Sequence, residues 1–436
     1  MGKYFKDINM WILAFSIMTV SIPMLGLHSS LYTIFMIISM FIAIIRPIKD
    51  DVYCFAFAIP FTTVLITPLP GFSLPAFIQF VILIKGFLGK KSHVLPVNLL
   101  LGTAFIMMVH QMIPILCYDQ TILSICMMLS NIYLFYAIYG LRKSGIIQSD
   151  IIYWMLMSGS ILSCFITPYV NLAEYGSDVV FDTSEASLAF AGIIRFQALW
   201  TDPNFIGMFV LMSITFLLTK FSGLKSLIYI LPLIAVLVYY GLLTMSRTFV
   251  YGSGLILVIY ALSAARKYKS KSVLIYLSLG VAFVSFVPYA MQILDMRTNT
   301  DDWSNGRYEY SSTLLHTYFR EFPALFSGVG YANELNFLHS NKVLSGASHN
   351  TFIDILLEVG LIPLLLIMAY FLSKSNIVFR YIRKLFSLPN LPYLVMAIYL
   401  TSFSLLKYEF LYLFLALFFA QESMEKQSNS GSVENR

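Results

Sequence analysis

Polar side chains that could take part in acid–base chemistry lie where a hydrophilic loop runs into an apolar stretch. The loop ends in Ser348-His349-Asn350, and the apolar run that begins at Thr351 contains Asp354 and Glu358. A histidine at such a boundary titrates near neutral pH and can take a proton from a hydroxyl. His349 is therefore a candidate general base, although it could instead only cap the helix or bond to a neighbour.

The two carboxylates and Asn350 follow one another at four-residue intervals, which places all three on one face of a helix. At 1.5 Å per residue, Glu358 would lie about 12 Å along the helix axis from Asn350. An unpaired carboxylate at that depth in a membrane costs several kcal/mol. We therefore expect this face to look into a bundle interior or a wet cavity, where Glu358 meets a cation. A buried ion pair with an arginine fits the same spacing.

The elements that must position these residues are membrane helices. Hydrophobic residues make up 58% of the 436-residue chain and charged residues 11%, and the mean hydropathy is +0.79, values that exclude a soluble globular domain. The sequence predicts an all-α polytopic integral membrane protein with about 14 transmembrane helices. Its apolar segments lie near 10–27, 30–45, 52–69, 73–88, 95–117, 121–140, 151–170, 204–219, 226–244, 248–265, 272–292, 350–372, 390–406 and 409–421.

The basic residues orient these helices, because lysine and arginine concentrate in cytoplasmic segments. With the N-terminus inside, 21 of the 28 basic residues lie in inside segments, and each such segment has at least two. Both termini are then cytoplasmic. The net charge of +6 follows from this topology, so nucleic acid is not expected as a partner. The first apolar segment lacks a small-residue cleavage site and is expected to be a retained helix.

Two larger extracytoplasmic loops separate three groups of helices. Within the loops, Asp202-Pro203-Asn204 predicts a helix cap with proline in the first turn, the stretch from Tyr308 to Phe322 predicts an amphipathic helix, and Gly328-Val329-Gly330 predicts a turn. The predicted parts are N-terminal membrane helices (1–169), a first extracytoplasmic loop (170–203), central membrane helices (204–293), a second extracytoplasmic loop with short helices (294–349), C-terminal membrane helices (350–422) and a disordered cytoplasmic tail (423–436).

Arginines dominate the few basic residues left outside, and arginine suits a bidentate grip on phosphate. Arg247 follows Ser246 in a turn so short that its guanidinium stays at the membrane surface, and Arg195 approaches the same plane from the first loop. Each could also be a snorkelling arginine. The outside residues are Arg195, Arg247, Arg297, Arg307, Arg320, Lys342 and Lys407.

Other polar and aromatic residues are weaker candidates. His110 could line a cavity, but it is more typical of a satisfied interior histidine. Trp200, expected to be exposed, could stack on sugars. The four cysteines show no Cys/His ligand spacing, so no metal site is predicted, and no nucleotide-binding motif lies on the inside face.

Several short motifs, taken in order, resemble the O-antigen ligase and polymerase family. These are Arg195-Phe196 with Asp202-Pro203-Asn204, Ser246-Arg247, Asn305-Gly306-Arg307-Tyr308-Glu309, Gly328-Val329-Gly330, and Ser348-His349-Asn350-Thr351-Phe352 running to Glu358-Val359-Gly360-Leu361. They span about residues 190 to 365. The first half of the chain agrees with the family only in being a run of membrane helices.

The resemblance implies a metal-independent glycosyltransferase on the outer face of the bacterial inner membrane, with no cofactor and a polyprenyl-pyrophosphate-linked oligosaccharide as donor. It implies that Arg195, Arg247 and Arg307 hold the pyrophosphate and that His349 activates the acceptor hydroxyl or assists its attack. Asn350, Asp354 and Glu358 join the substrate-binding candidates. Membrane lipid, a second lipid-linked oligosaccharide as acceptor, a chain-length regulator and a flippase are the expected partners.

Three functions remain open on these residues. A Wzy-type O-antigen polymerase, which joins lipid-linked repeat units into a surface polysaccharide, is favoured because no extra outward basic patch is present to receive an anionic lipid A core. An O-antigen ligase shares the same motifs. A lipid-linked oligosaccharide transporter is less consistent, since it needs charges within the membrane in several helices, whereas here the outside arginines cluster at one surface.

Overall fold

The computed structural model describes residues 8–25, 30–62, 73–88, 97–175, 181–182, 195–196, 198–200, 202–221, 224–267, 307–341, 350–373, 375–403 and 405–433. Within these ranges the chain consists of helices joined by turns, with one β ladder of two residues in each strand. The described residues form two compact units, the first from 1–85, 145–301 and 385–396 and the second from 86–144, 302–384 and 397–436.

The helices up to the second long loop are α1 (Met10–Ser21), α2 (Ser30–Ile45), α3 (Ile48–Ala58), α4 (Leu74–Leu88), α5 (Val97–Tyr118), α6 (Ile122–Lys143), α7 (Ser149–Tyr175), α8 (Pro203–Lys220), α9 (Leu224–Leu243) and α10 (Arg247–Lys267). The later helices are α11 (Arg307–Arg320), α12 (Phe322–Ser327), α13 (Glu334–Ser340), α14 (Thr351–Val359), α15 (Leu361–Ser373), α16 (Ser375–Leu385), α17 (Leu391–Leu400) and α18 (Glu409–Val433). Strands β1 (Phe181–Asp182) and β2 (Arg195–Phe196) pair antiparallel, and 3-10 turns cover Pro23–Leu25, Ile59–Phe61 and Leu388–Asn390.

Several helices have the length and apolarity of membrane spans, as the composition predicts. Four of the described helices can cross a bilayer by length and composition, namely Leu101–Tyr118, Ile122–Lys143, Ser149–Val170 and Pro203–Lys220. Six shorter apolar helices accompany them: Met10–Ser21, Leu74–Gly86, Tyr229–Leu243, Arg247–Ser263, Leu388–Leu400 and Glu409–Gln421. The chain is thus a multi-pass helical membrane protein.

Each unit has its own packing centre. In the first unit, α8 is buried along nearly all of its length and packs against α7, α9 and α10, while α3 packs against α7. In the second unit, α18 packs along α6, and the short helix α12 packs against α5 and α15. A helix that is apolar on all sides, as α8 is, can only be covered by other helices or by lipid.

The start of α3 differs from the predicted apolar segment, which begins near residue 52. The helix begins at Ile48 and includes Asp50 and Asp51, both fully buried. Asp51 forms an ion pair with Lys85, and Asp50 accepts a hydrogen bond of 2.6 Å from the Asn9 side chain. These partners allow the carboxylates to lie inside the helix, where hydropathy alone predicts a loop.

The segment near 350–372 is two helices rather than one. Helix α14 ends at Val359 and α15 begins at Leu361, with Gly360 between them at φ 94°. A residue other than glycine rarely adopts that φ, so the apolar run is divided there.

Two further predictions about membrane segments have different outcomes. Helix α18 continues to Val433 and so extends into the segment predicted to be a disordered tail; glutamine, glutamate, methionine and lysine, which favour helices, follow its apolar part, and no proline interrupts it. The predicted segment near 272–292 lies outside the described residues.

Candidate functional site

Asn350 caps helix α14, as its position predicts. Its Oδ1 accepts hydrogen bonds from the backbone amides of Phe352, at 2.9 Å, and Ile353, at 3.4 Å. Its Nδ2 donates to the carbonyl of Thr401 at 3.2 Å. The capping role that His349 could have had is therefore filled by its neighbour. His349 itself lies outside the described residues.

Thr351 ties the first turn of α14 to the turn between α17 and α18. Its buried hydroxyl donates to the carbonyl of Phe403 at 2.5 Å and accepts from the backbone amide of Leu405 at 2.9 Å. Both partners are backbone groups about fifty residues further along the chain. One hydroxyl thus fixes the start of α14, two residues after His349, against a distant turn.

The predicted polar face of α14 points inward. Asp354 is 4% exposed and Glu358 is 8% exposed, while Asn350 is half-buried at the end of the helix. Glu358 Oε1 accepts a hydrogen bond of 2.9 Å from the backbone amide of Ala332, and Glu358 Oε2 is buried without a hydrogen-bond partner among the described residues. The alternative of a buried ion pair between Glu358 and an arginine is not present in the described part of the chain, where the backbone amide of Ala332 bonds to Glu358.

The predicted Gly328-Val329-Gly330 turn fits tightly against the break after α14. Val329 donates its amide to the Leu357 carbonyl at 2.7 Å. Gly328 adopts φ 69° and Gly330 φ 98°, and a Cβ at Gly360 would lie 2.6 Å from the backbone nitrogen of Gly328. Because the atoms in the way are backbone, no side chain can be added there without displacing the turn.

Two tyrosines bind this turn region to the surrounding helices. Tyr318 Oη donates to the Leu356 carbonyl at 3.2 Å, and burial raises the pKa of Tyr318 to about 12. Tyr331 Oη donates to the Leu406 carbonyl at 3.1 Å and accepts from Asn131 Nδ2 at 3.0 Å; burial, together with the nearby Tyr412 and Glu358, raises the pKa of Tyr331 well above its usual value. Both hydroxyls therefore remain protonated donors at physiological pH.

His110 belongs to a chain of polar side chains behind the turn. Its Nε2 lies 2.8 Å from the Val359 carbonyl, so this nitrogen donates, and Nδ1 accepts from Gln111 Nε2 at 2.7 Å. Gln111 Oε1 in turn accepts from Gln120 Nε2 at 2.7 Å and from the backbone amide of Tyr331 at 3.2 Å. His110 is thus the satisfied interior histidine that its sequence position indicates.

Arg247 is the first residue of α10, in the other unit. Only three residues separate it from Leu243, where α9 ends, and Met245 in that turn has φ 47°. The buried Ser246 accepts at Oγ from the backbone amide of Phe249 at 3.3 Å, and the side chain of Arg247 is half-buried. The turn is as short as its position between two apolar runs predicts.

The strand with Arg195 lies beside the same hairpin. Arg195 is the backbone partner of Asp182 in the β ladder, and the ring of the next residue, Phe196, stacks on Tyr240 of α9 with centroids 5.6 Å apart. A Cβ at Gly241 would lie 2.1 Å from the Phe249 ring, so the two helices of the hairpin are in close contact. The backbone at Arg195 and the turn that leads to Arg247 are therefore neighbours within one unit.

Three further predictions concern Asp202, Trp200 and Arg307. Asp202 caps α8, since its Oδ1 accepts from the Asn204 amide at 2.8 Å. The prediction that Trp200 is exposed is wrong. Its side chain is 1% exposed, and its ring contacts those of Phe205 and Phe209. Arg307 is the first residue of α11, but its side chain lies outside the description.

Sequence reasoning missed the residues that fix the site region from a distance. Four residues form hydrogen bonds to groups in other helices or turns, and their sequence spacing does not indicate this role. They are Gln111, Gln120, Tyr331 and Thr351. Gly360 could have been found, since Pro363 follows three residues later, and glycine after one helix with proline in the first turn of the next is a typical boundary.

Comparison with known families supports the resemblance found in the motifs. Residues 232–368 match the family model Wzy_C, described as O-Antigen ligase. No curated protein matches the chain. The matched region includes Arg247, Arg307, His349, Asn350, Asp354 and Glu358, whereas Arg195 lies before it. The match supports the resemblance to the O-antigen ligase and polymerase family over residues 232–368, and it does not distinguish ligase from polymerase.

Proposed function

We propose, from the O-antigen ligase match over residues 232–368, that this chain transfers a glycan from a polyprenyl-pyrophosphate donor to an acceptor hydroxyl. The single observation on which this rests is that the match includes Ser246-Arg247 and Ser348-His349-Asn350, the two stretches that also stand out by their chemistry. The same match supports the coarser proposal of a membrane enzyme that acts on lipid-linked sugars.

The reaction would be a displacement at the anomeric carbon of the donor sugar. An acceptor hydroxyl attacks that carbon, the bond between the carbon and the pyrophosphate oxygen breaks, and the hydroxyl proton passes to His349. Arg247, with Arg195 and Arg307, neutralises the charge that develops on the leaving pyrophosphate. Pyrophosphate is already a good leaving group, so this scheme requires neither a metal nor a nucleotide.

The geometry of the Arg247 turn supports a role at the membrane surface. Arg247 is the first residue of α10, and only three residues separate it from the end of α9. In the proposed topology its guanidinium would lie at the boundary where a lipid-linked phosphate presents its charge. The backbone at Arg195 is a neighbour of this hairpin through the Phe196–Tyr240 stack. This backbone proximity supports the proposal that both arginines bind one pyrophosphate, which has two phosphoryl groups.

The first turn of α14, which follows His349 in the chain, is held by two sets of hydrogen bonds. The Asn350 cap and the Thr351 hydroxyl hold the first turn of α14 in place, and the face with Asp354 and Glu358 is buried. A general base needs such a support, because a displacement of about 1 Å can cost on the order of 100-fold in rate. We keep Asp354 and Glu358 as proposed substrate-binding or site-positioning groups.

We favour polymerisation of lipid-linked repeat units, in a 14-helix protein of the bacterial inner membrane with both long loops outside. The absence from the sequence of an added outward basic patch for a lipid A core favours this choice. Ligation to lipid A core is the second candidate, since the matching family model is described by that activity.

An acceptor-choice assay distinguishes the two. Purified protein in proteoliposomes receives lipid-linked repeat units with no nucleotide or divalent metal, either alone or with lipid A core. Polymerase activity gives a ladder of products from the repeat units alone. A single transfer that requires lipid A core supports the ligase, and no transfer to either acceptor contradicts the proposal.

A further inference from the structure

Helix α16 separates three kinds of surface around its axis. Tyr381 points toward the protein, with its ring centroid 5.8 Å from Phe418 and 5.5 Å from Phe419 of α18. Phe379 and Ile382 are exposed, at 69% and 47%. At 100° per residue, Ile382 lies about 100° and Phe379 about 160° from Tyr381 around the helix, and Val378 and Leu385 fall between them. The apolar residues therefore form one continuous arc that protein covers only in part.

The opposite side of α16 is basic. Arg380 and Arg383 are exposed and Lys384 is half-buried, and the three fall within one arc of about 100° on the helical wheel. The helix therefore has the pattern of a segment that lies in a membrane interface, with an apolar face toward acyl chains and a cationic face toward head groups.

The neighbouring helices are consistent with a position of α16 at the membrane interface. The apolar helix α15 ends at Ser373, directly before α16 begins at Ser375. On α18, the contacts to Tyr381 come from Phe418 and Phe419, near the end of its apolar part at Gln421. Helix α16 thus lies where one apolar helix ends before it and the apolar part of another ends beside it.

We propose that α16 is an interfacial helix that binds anionic phospholipid head groups through Arg380, Arg383 and Lys384. Charge complementarity selects this partner, because zwitterionic head groups offer no net charge to three clustered cations. Each basic residue close to an anionic surface contributes about 1 kcal/mol, equivalent to roughly a fivefold preference. This inference is independent of the proposed transfer reaction.

Lipid competition tests the proposal on the full-length protein. The protein is purified in micelles that contain phosphatidylglycerol and phosphatidylcholine in equal amounts, and the lipids that stay bound are counted by native mass spectrometry. We expect the wild type to retain phosphatidylglycerol preferentially. The variant with Arg380→Gln, Arg383→Gln and Lys384→Gln should lose at least fivefold of that preference. The matched variant with Arg380→Lys and Arg383→Lys keeps the charges and should retain most of it.

Three outcomes would overturn the proposal. These are a wild type that binds the two lipids in the ratio supplied, a glutamine variant that keeps the phosphatidylglycerol preference, and a loss of preference in the lysine variant as large as in the glutamine variant. The wild type could also be a dimer without lipid preference, and the glutamine variant a monomer. That result would assign the basic face of α16 to a second copy of the chain. Because the arginines are exposed, folding of the variants is expected to be unaffected and is checked by the elution profile.

Discussion

Replacing Thr351 by valine should destabilise the start of α14 more than any loss of side-chain size can explain. The hydroxyl donates to the Phe403 carbonyl and accepts from the Leu405 amide, and it is 2% exposed. Valine removes both hydrogen bonds, so the buried Phe403 carbonyl and Leu405 amide lose the hydroxyl as a partner. Each loss lowers the free energy of unfolding by about 1–3 kcal/mol. The expected loss is therefore about 2–6 kcal/mol, large for a single substitution.

Thr351→Ser is the matched control, because it removes a methyl group and keeps the hydroxyl. Its cost should be close to that of a lost methyl, about 1 kcal/mol. The three proteins are heated in detergent and the fraction that remains folded is measured by size-exclusion chromatography, which compares variants without assuming reversible unfolding. The midpoint should fall slightly for serine and much further for valine.

The same pair of variants reports on the proposed site. Because Thr351 lies two residues after His349, valine should also lower glycan transfer at temperatures where the protein remains folded, and serine should lower it little. Equal midpoints for valine and serine would show that the two backbone hydrogen bonds contribute nothing to the stability of the folded state.

Three other changes have defined expectations. Arg247→Lys should reduce transfer by about 10- to 100-fold at normal protein level, because a lysine ammonium cannot bind two phosphate oxygens as the planar guanidinium does. Arg46→Lys, at an exposed arginine, is the control. Wild-type activity in Arg247→Lys would indicate that Arg247 only snorkels to the membrane surface. Gly360→Ala should destabilise the protein by about 1–3 kcal/mol or more in heating experiments, because alanine is strained at a φ of 94° and its Cβ would clash with the Gly328 backbone. Gly102→Ala is the control and should be tolerated, since a Cβ there has no atom within 4 Å. Reporter fusions should test the topology, and a cytoplasmic reading in either long loop would contradict the proposed site. They should read outside after Val180 and Asn336 and inside after Lys143, Lys269 and Lys384.

Local signals in the sequence predicted the caps and most helix positions. Asp202 and Asn350 accept the backbone hydrogen bonds that their types and places indicate, because a helix start depends on residues within one turn. The inward face of Asp354 and Glu358 was predictable for the same reason, since a four-residue interval fixes the side of the helix.

Interactions between distant segments could not be predicted in this way. The partner of Glu358 is the backbone amide of Ala332, and any residue except proline at that position would supply the same amide. The hydrophobic environment of Trp200 depends on Phe205 and Phe209 of the following helix, whereas a tryptophan in a loop before a helix is expected to be exposed. Gly360 was missed because hydropathy averages over the apolar run and does not register a change in φ.

The His349→Ala variant tests whether the loop end at His349 forms part of an active site. Transfer from the lipid-linked donor is measured beside membrane abundance and donor binding, with His316→Ala, at an exposed histidine, as control. Asn350 already caps α14, so the loss of His349 should leave the fold intact. We expect the His349→Ala variant to be present in the membrane and to bind donor without transferring glycan. A normal transfer rate in that variant would show that His349 does not take part in the reaction.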